Sequence, residues 1–348
     1  MAKYLKASKA AWGTAALFVA LGCASKVSPA FAADSQASAI STDIEYVGYQ
    51  GLTLKGTFLK PSGDGPFPAM LLLPGSGPSD RNSNQQGLQI NVLKDIAESL
   101  AKNGVATLRF DKRAVAGTYQ AMFPKDIAAL NDFFSWQAFV GDAEASYNAL
   151  KKQPGVDPNR VGILGHSEGG AITLAMAQDT HPRAVVLVST AGRDLGTVMV
   201  EQIKQGYGAQ FRTADQTEKL TSETERAVVA VRQTGTVPAG LPDQLKPLFP
   251  TYATKYLHDI FVFDPTKAAA DLQCPALVVQ GEKDVQISAE RDAPKLMAAI
   301  PKGQGELYLA KGCSHCLKHP ANAQEPALTG ATDTQALDKI GAWSKAHL

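Results

Sequence analysis

The sequence predicts an α/β fold: a mostly parallel sheet with helices on both faces, an antiparallel hairpin at its N-terminal end and a helical cap inserted between two strands. Three observations carry this. Short, wholly apolar runs alternate with longer amphipathic ones, a stretch with period-two alternation precedes them, and residues 193–265 hold no convincing strand. Strands covered by helices on both sides read as continuous apolar runs, whereas a hairpin with one wet face alternates.

The alternating stretch is 44–60, with Ile44-Glu45-Tyr46-Val47 and Leu52-Thr53-Leu54-Lys55 set around Gly48 and Gly51. It predicts the hairpin. Residues 33–43 before it are small and polar, which predicts a flexible tail. The buried-strand runs are Ala69–Leu73, Val105–Phe110, Val161–Leu164, Ala184–Val188 and Ala276–Val279, with Leu307–Leu309 a shorter, more polar sixth. Helical periodicity occupies Val92–Lys102, Phe139–Lys152, Ala171–Gln178, Ala293–Ile300 and Thr334–Ala346. The order is an antiparallel start followed by βαβα repeats. Residues 193–265 read as helices and a Pro-rich stretch, carrying Tyr207, Phe211, Phe249, Tyr252, Tyr256, Phe261 and Phe263. An insertion this long in a compact sheet is usually a lid. Its aromatics are expected either to shape an apolar pocket or to pack the insertion on the body. The expected division is therefore 1–32 leader, 33–192 first part of the core, 193–265 cap and 266–348 second part of the core.

The leader is read from Lys3, Lys6 and Lys9, the apolar run Ala10–Cys23 and the small-x-small site Ala30-Phe31-Ala32. This pattern predicts a secretory signal peptide cleaved after Ala32, with export to the periplasm or beyond. Lipid attachment at Cys23, in Leu21-Gly22-Cys23, is the alternative. The apolar run is too short to span a bilayer comfortably, so no span is expected in the mature chain. Losing the leader's four lysines takes the net charge from +1 to −3, and no block of like charge argues for a nucleic-acid partner. Cleavage leaves Cys274, Cys313 and Cys316, which is not a disulfide framework. Cys313 and Cys316 have C-x-x-C spacing without a second pair, so they read as small residues in a tight loop, open to a bridge between them.

Chemistry concentrates at Gly165-His166-Ser167-Glu168-Gly169-Gly170. Alone, a G-x-S-x-G pentapeptide is weak. Here it follows a buried strand and opens a helix, the setting in which a serine is held on a sharp, strained turn with its hydroxyl exposed. Ser167 is thus the candidate nucleophile. A serine hydroxyl needs a base, and the base an orienting acid, in the chain order Ser, acid, His. Asp284 follows the Ala276–Val279 run and is the candidate acid, with Glu282 its competitor. His315 follows Glu306–Ala310 and is the candidate base, with His319 its rival. His166, beside the nucleophile, is expected to point away from the site. Two backbone N–H groups should receive an oxyanion, one from Glu168 and one from the loop Pro74-Gly75-Ser76-Gly77-Pro78, at Ser76 or else Gly77.

Together these residues resemble the α/β-hydrolase superfamily over about residue 45 to the C-terminus, and its exported bacterial esterase or serine-aminopeptidase-like group in particular. Pro74 to Arg81 resembles the oxyanion loop of that group, Asp111-Lys112-Arg113 the start of its D-x-R-G-x-G turn, Gly281 to Gln286 its approach to the acid and Lys311 to His315 its base loop. The resemblance implies the triad Ser167, Asp284 and His315 and a small-molecule ester or acyl substrate, with no metal or cofactor required. A peptidase or thioesterase would use the same triad, and a binding protein could keep the fold without the chemistry. Two departures stand out: Ala114 replaces the Gly expected after Arg113, and Cys313 and Cys316 bracket His315.

Overall fold

The computed structural model describes residues 39–206, 213–322 and 327–348. The expected leader with Cys23, and the insertion aromatics Tyr207 and Phe211, lie outside the described residues. The strands are β1 (Ile40–Val47), β2 (Thr53–Lys60), β3 (Phe67–Leu73), β4 (Ala106–Phe110), β5 (Val156–His166), β6 (Val185–Val188), β7 (Ala276–Gly281) and β8 (Gly305–Ala310). They form one sheet in the order β1-β2-β4-β3-β5-β6-β7-β8. The β1–β2 and β2–β4 pairs are antiparallel, and every pair from β4 to β8 is parallel.

Period-two alternation divides the strand side chains between the two faces. Met70, Leu72, Leu164, Val186, Val188, Leu277 and Val279 join one core. Over that face lie α1 (Val92–Lys102) and, at the end of the chain, a helix at Thr334–His347. Their apolar stripes, Val92, Leu93, Ile96 and Leu100 with Ile340 and Trp343, complete the cluster. The intervening strand positions, among them Leu71, Leu73, Val161 and Ile163, face the opposite side. After β4 come two short helices, α2 (Ala116–Tyr119) and α3 (Ile127–Phe133), then α4 (Trp136–Lys151), capped by the Ser135 hydroxyl, and after β5 comes α5 (Glu168–Thr180). Phe139, Tyr147 and Leu150 of α4 and Ile172 and Met176 of α5 cover this second face.

Between β6 and β7 the chain forms α6 (Leu195–Lys204), α7 (Ala214–Thr234), α8 (Thr254–Val262) and α9 (Pro265–Ala270). A capping box at Thr213 and Gln216 starts α7, and Gly235 in the left-handed region ends it. Ile203, Leu220, Val228, Val231, Leu245, Phe249, Leu257, Ile260 and Phe261 form a separate apolar cluster there. The last two helices are α10 (Ala293–Ala299) and α11 (Thr334–His347).

Two sequence expectations need correction. Residues 40–43 are strand rather than flexible tail, with Ile40 opposite Lys60. They belong to an edge strand whose first four residues are exposed, so burial imposes no apolar pattern on them. The short helices α2 and α3 occupy a stretch for which no element was expected. Ala114, in place of the expected Gly, stays out of the left-handed region and is buried, so its turn tolerates a Cβ.

Consecutive strands β3 and β4 lie side by side, and β5 then pairs on the other edge of β3. That reversal opens a crevice beyond the C-terminal ends of β3 and β5, the place where open α/β sheets receive ligands.

Candidate active site

The turn from β5 into α5 is shaped by its glycines. A Cβ on Gly165 would stand 2.1 Å from the Gly169 carbonyl oxygen, and one on Gly169 would stand 2.3 Å from that of Leu73. Backbone atoms cannot yield to such overlaps, so only glycine permits this approach. Between them Ser167 takes φ 56° and ψ −121°, a strained conformation for a residue with a side chain. Strain of this kind typically costs about 1–3 kcal/mol and persists where the surrounding structure enforces it. Here Ser167 N–H donates to Val188 O at 2.8 Å and Gly170 N–H to Ser167 O at 2.9 Å. The serine therefore sits at the crevice, at the N-terminus of α5.

Two strands further on, the loops after β7 and β8 bring Asp284 and His315 together. His315 Nδ1 lies 2.8 Å from Asp284 Oδ2, with both side chains almost wholly buried. A carboxylate can only accept, so the ring proton is on Nδ1. Four donors hold the carboxylate: Gln286 N–H and Ile287 N–H reach Oδ1 at 2.8 and 2.9 Å, and Gln280 Nε2 joins His315 at Oδ2, at 2.9 Å. The competing residues have other partners. Glu282 accepts from Gly312 N–H at 2.9 Å, which pins the base loop from outside. His319 pairs with Asp333, at 2.9 Å.

The loop after β3 closes the crevice on the other side. A Cβ on Gly75 would meet the Ser167 Cβ at 3.2 Å, so this loop passes directly beside the serine. The N–H groups of Ser76 and Glu168 make no hydrogen bond within the described residues. The Ser76 carbonyl instead accepts from Ser79 Oγ at 3.1 Å and Gln85 Nε2 at 3.0 Å, which sets the plane of the loop.

Sequence reasoning missed what lies beneath. Glu168 contributes a side chain as well as an amide: its Oε1 is 2.7 Å from Lys112 Nζ, in a pair exposed by only 5% on the lysine and 0% on the glutamate. Lys112 Nζ also donates to Gly75 O at 3.2 Å and lies over the Phe139 ring. The phenol of Tyr256, from α8, donates to the other oxygen of Glu168. Burial and the carboxylate beside it push the Tyr256 hydroxyl well above its ordinary pKa, so it remains a donor. One buried ion pair thus joins the β3 loop, the elbow and the helical insertion. The Asp111-Lys112-Arg113 run was the available signal, and Arg113 makes its own buried bidentate pair with Asp142, at 2.7 Å.

The chain that builds this fold matches a known family. Residues 70–325 match the profile of the family described as "Alpha/beta hydrolase family". The chain belongs to this family. A curated relative, Esterase EstD of Thermotoga maritima, is 26% identical over 293 residues, which are 83% of this chain and 65% of the relative. The chain thus spans just under two thirds of that relative's length. Among solved structures, the alpha/beta hydrolase GrgF from Penicillium sp. sh18 has a TM-score of 0.55 at 20% identity, covering 88% of this chain and 99% of its own. Est1E from Butyrivibrio proteoclasticus has a TM-score of 0.54 at 15% identity, covering 87% and 99%. These two are likenesses of fold.

Within this alpha/beta hydrolase, three further expectations are refined. His166 does not point away into unrelated packing: its ring lies 4.9 Å from that of His315, and its Nε2–H donates to the His315 carbonyl at 3.0 Å. Burial, and then His315 beside it, pushes His166 down to about 3. Folded His166 therefore stays neutral while the unfolded chain protonates it below about 6.5. The unfolded state binds the extra proton between those values, so acid destabilises the fold across that window. We expect a slope of up to about 1.4 kcal/mol per pH unit from this residue. Denaturant titrations from pH 7 to pH 4 should show His166→Gln flattening the acid limb, and an unchanged slope would refute the assignment.

Cys313 and Cys316 are free thiols, both buried, and no disulfide brackets His315. Burial holds them protonated, pushing Cys313 up to about 11 and Cys316 to about 12. The described insertion aromatics are engaged in packing. Phe249 stacks edge-on against Phe261 within the insertion, while Tyr252, Tyr256 and Phe263 pack on Phe134, Phe139 and Trp136 of the body. Their recurrence in the sequence therefore reflects how the insertion is seated.

Proposed function

We propose that this chain is a serine hydrolase that cleaves carboxylic esters through an acyl-enzyme. The observation that carries the reading is the His315–Asp284 pair on the same rim of the sheet as Ser167 in its strained elbow. The curated relative, itself named an esterase, supports the choice of ester over other acyl substrates.

In this reading Ser167 Oγ attacks the ester carbonyl carbon and His315 Nε2 takes its proton. Asp284 holds the ring tautomer with Nδ1–H and stabilises the imidazolium that forms. The Ser76 and Glu168 N–H groups receive the oxyanion, a contribution worth on the order of 100-fold or more in rate for each donor. His315 then protonates the departing alcohol, and water, activated by the same histidine, releases the acid. Residues 193–265 serve as the cap over this site, fastened to it by Tyr256.

The test is covalent and kinetic. A fluorophosphonate probe should label Ser167, and Ser167→Ala should lose both the label and hydrolysis of short p-nitrophenyl esters. Retention of more than about a tenth of the wild-type rate would overturn the proposal. A panel of esters, thioesters and aminoacyl anilides assigns the acyl substrate, and faster turnover of either of the latter would replace the ester reading.

A further inference from the structure

Behind the base loop, and outside the site described above, three donors of the kind that bind transition metals converge. Cys313 Sγ, a ring nitrogen of His319 and a carboxylate oxygen of Asp333 all lie within 4.8 Å of one another. His319 Nε2 and Asp333 Oδ2 are 2.9 Å apart. We propose that Cys313, His319 and Asp333 form a binding site for a divalent transition-metal ion of the zinc type, with water completing a tetrahedral set.

The local backbone is already organised for this. Cys313 N–H donates to Ala310 O at 3.2 Å, anchoring the cysteine to the end of β8. Asp333 N–H donates to Leu317 O at 2.7 Å, which ties the start of α11 to the base loop. Asp333 Oδ1 accepts from Ala336 N–H at 2.7 Å, so the carboxylate is oriented with Oδ2 toward His319. Such outer hydrogen bonds fix ligand orientation in metal sites. Cys313 is fully buried, Asp333 partly buried and His319 exposed, so the three donors run from the surface inward to the sulfur. Among the described residues the thiol's one hydrogen bond is a long donation to Lys311 O, at 3.6 Å, which leaves the sulfur lone pairs unused.

The donor set selects the ion. Calcium and magnesium take oxygen ligands, whereas one thiolate, one imidazole and one carboxylate suit zinc. Metal–ligand bonds of about 2.0–2.3 Å place tetrahedral ligands roughly 3.5 Å apart. To hold an ion at that spacing, His319 Nε2 and Asp333 Oδ2 move apart from 2.9 Å, and any sulfur distance that is longer, up to the 4.8 Å that bounds the cluster, shortens. Binding sends the Cys313 thiol proton to solvent and requires the His319 ring to present an unprotonated Nε2 to the ion, with its proton on Nδ1. Affinity therefore rises with pH. Cys316 is not a ligand. The ion spans the loop that carries His315, two residues after Cys313 and four before His319, without touching His315 itself.

This proposal is independent of the esterase reading, because its test is binding. Chelator-treated, untagged protein is titrated with Zn2+ by calorimetry and with Co2+ by absorption. We expect one equivalent bound with Kd below about 10 µM, tetrahedral Co2+ bands and a sulfur-to-metal charge-transfer band. His319→Ala on the surface and Cys313→Ser should each weaken binding about 100-fold or more, whereas His315→Ala should leave it unchanged. His319→Ala keeps the test decisive if Cys313→Ser fails to fold. No saturable binding below about 100 µM, binding that survives His319→Ala, or a Co2+ spectrum without the sulfur band would each overturn the proposal.

Discussion

Asp284→Asn is expected to lower kcat on an activated ester by roughly 10⁴-fold while leaving the fold intact. The hydrogen bonds say why. Oδ1 receives the Gln286 and Ile287 N–H groups, which require an acceptor, so the asparagine must place its oxygen there. Its NH2 group then occupies the position of Oδ2 and faces His315 Nδ1. Two donors cannot share that contact, so the ring turns over to the other tautomer, with Nδ1 accepting and the proton on Nε2. A histidine protonated on Nε2 cannot take the Ser167 proton. Gln280 Nε2 loses one acceptor as well but keeps the Ile287 and Gly281 carbonyls, at 3.2 and 3.3 Å, so the structural cost is modest. Steady-state kinetics with a parallel melting curve measure both effects. A fall of less than about tenfold in kcat would remove Asp284 from the proposed triad.

The second large effect concerns stability. Lys112→Met keeps most of the apolar stem on Phe139 but leaves the Glu168 carboxylate buried with one neutral donor, the Tyr256 hydroxyl. Removing one partner of a buried pair typically costs about 3–5 kcal/mol, because the remaining charge has no counterpart. We expect a loss of that size in denaturant unfolding, and we expect Glu168→Gln in the same chain to restore much of it, since the amide carries no charge. The Gly75 carbonyl loses its lysine in either variant, so the β3 loop should loosen and kcat should stay low in the double variant. A cost below about 1 kcal/mol for Lys112→Met would mean that water reaches the pair.

The parallel strands were legible because burial on both faces leaves only apolar residues to choose from, as in Leu71-Leu72-Leu73 and Val185 to Val188. The edges were less so. β1 and β8 have exposed faces, and Ile40–Asp43 carries no constraint that composition would register. The meeting of Asp284 and His315 on the rim that carries Ser167 could be anticipated because each of the three lies within five residues of the end of its strand. Lys112, Glu168 and Tyr256 could not be joined in the same way, since the lysine is 56 residues from the glutamate and the tyrosine 88 beyond it. Only the strand order brings them together. The same limit applies to His166, whose ring direction depends on how β5 and the base loop meet, and to Tyr252, Tyr256 and Phe263, whose packing partners are Phe134, just past α3, and Phe139 and Trp136 on α4.

The Tyr256 hydrogen bond makes the helical insertion and the elbow parts of one equilibrium. If the insertion has a second position, leaving the first means giving up a buried donor on Glu168, the residue whose amide faces the crevice. Linkage then works in both directions. A ligand that draws on the Glu168 amide holds the insertion down with the same free energy by which a seated insertion tightens that ligand. Tyr256→Phe should loosen both together.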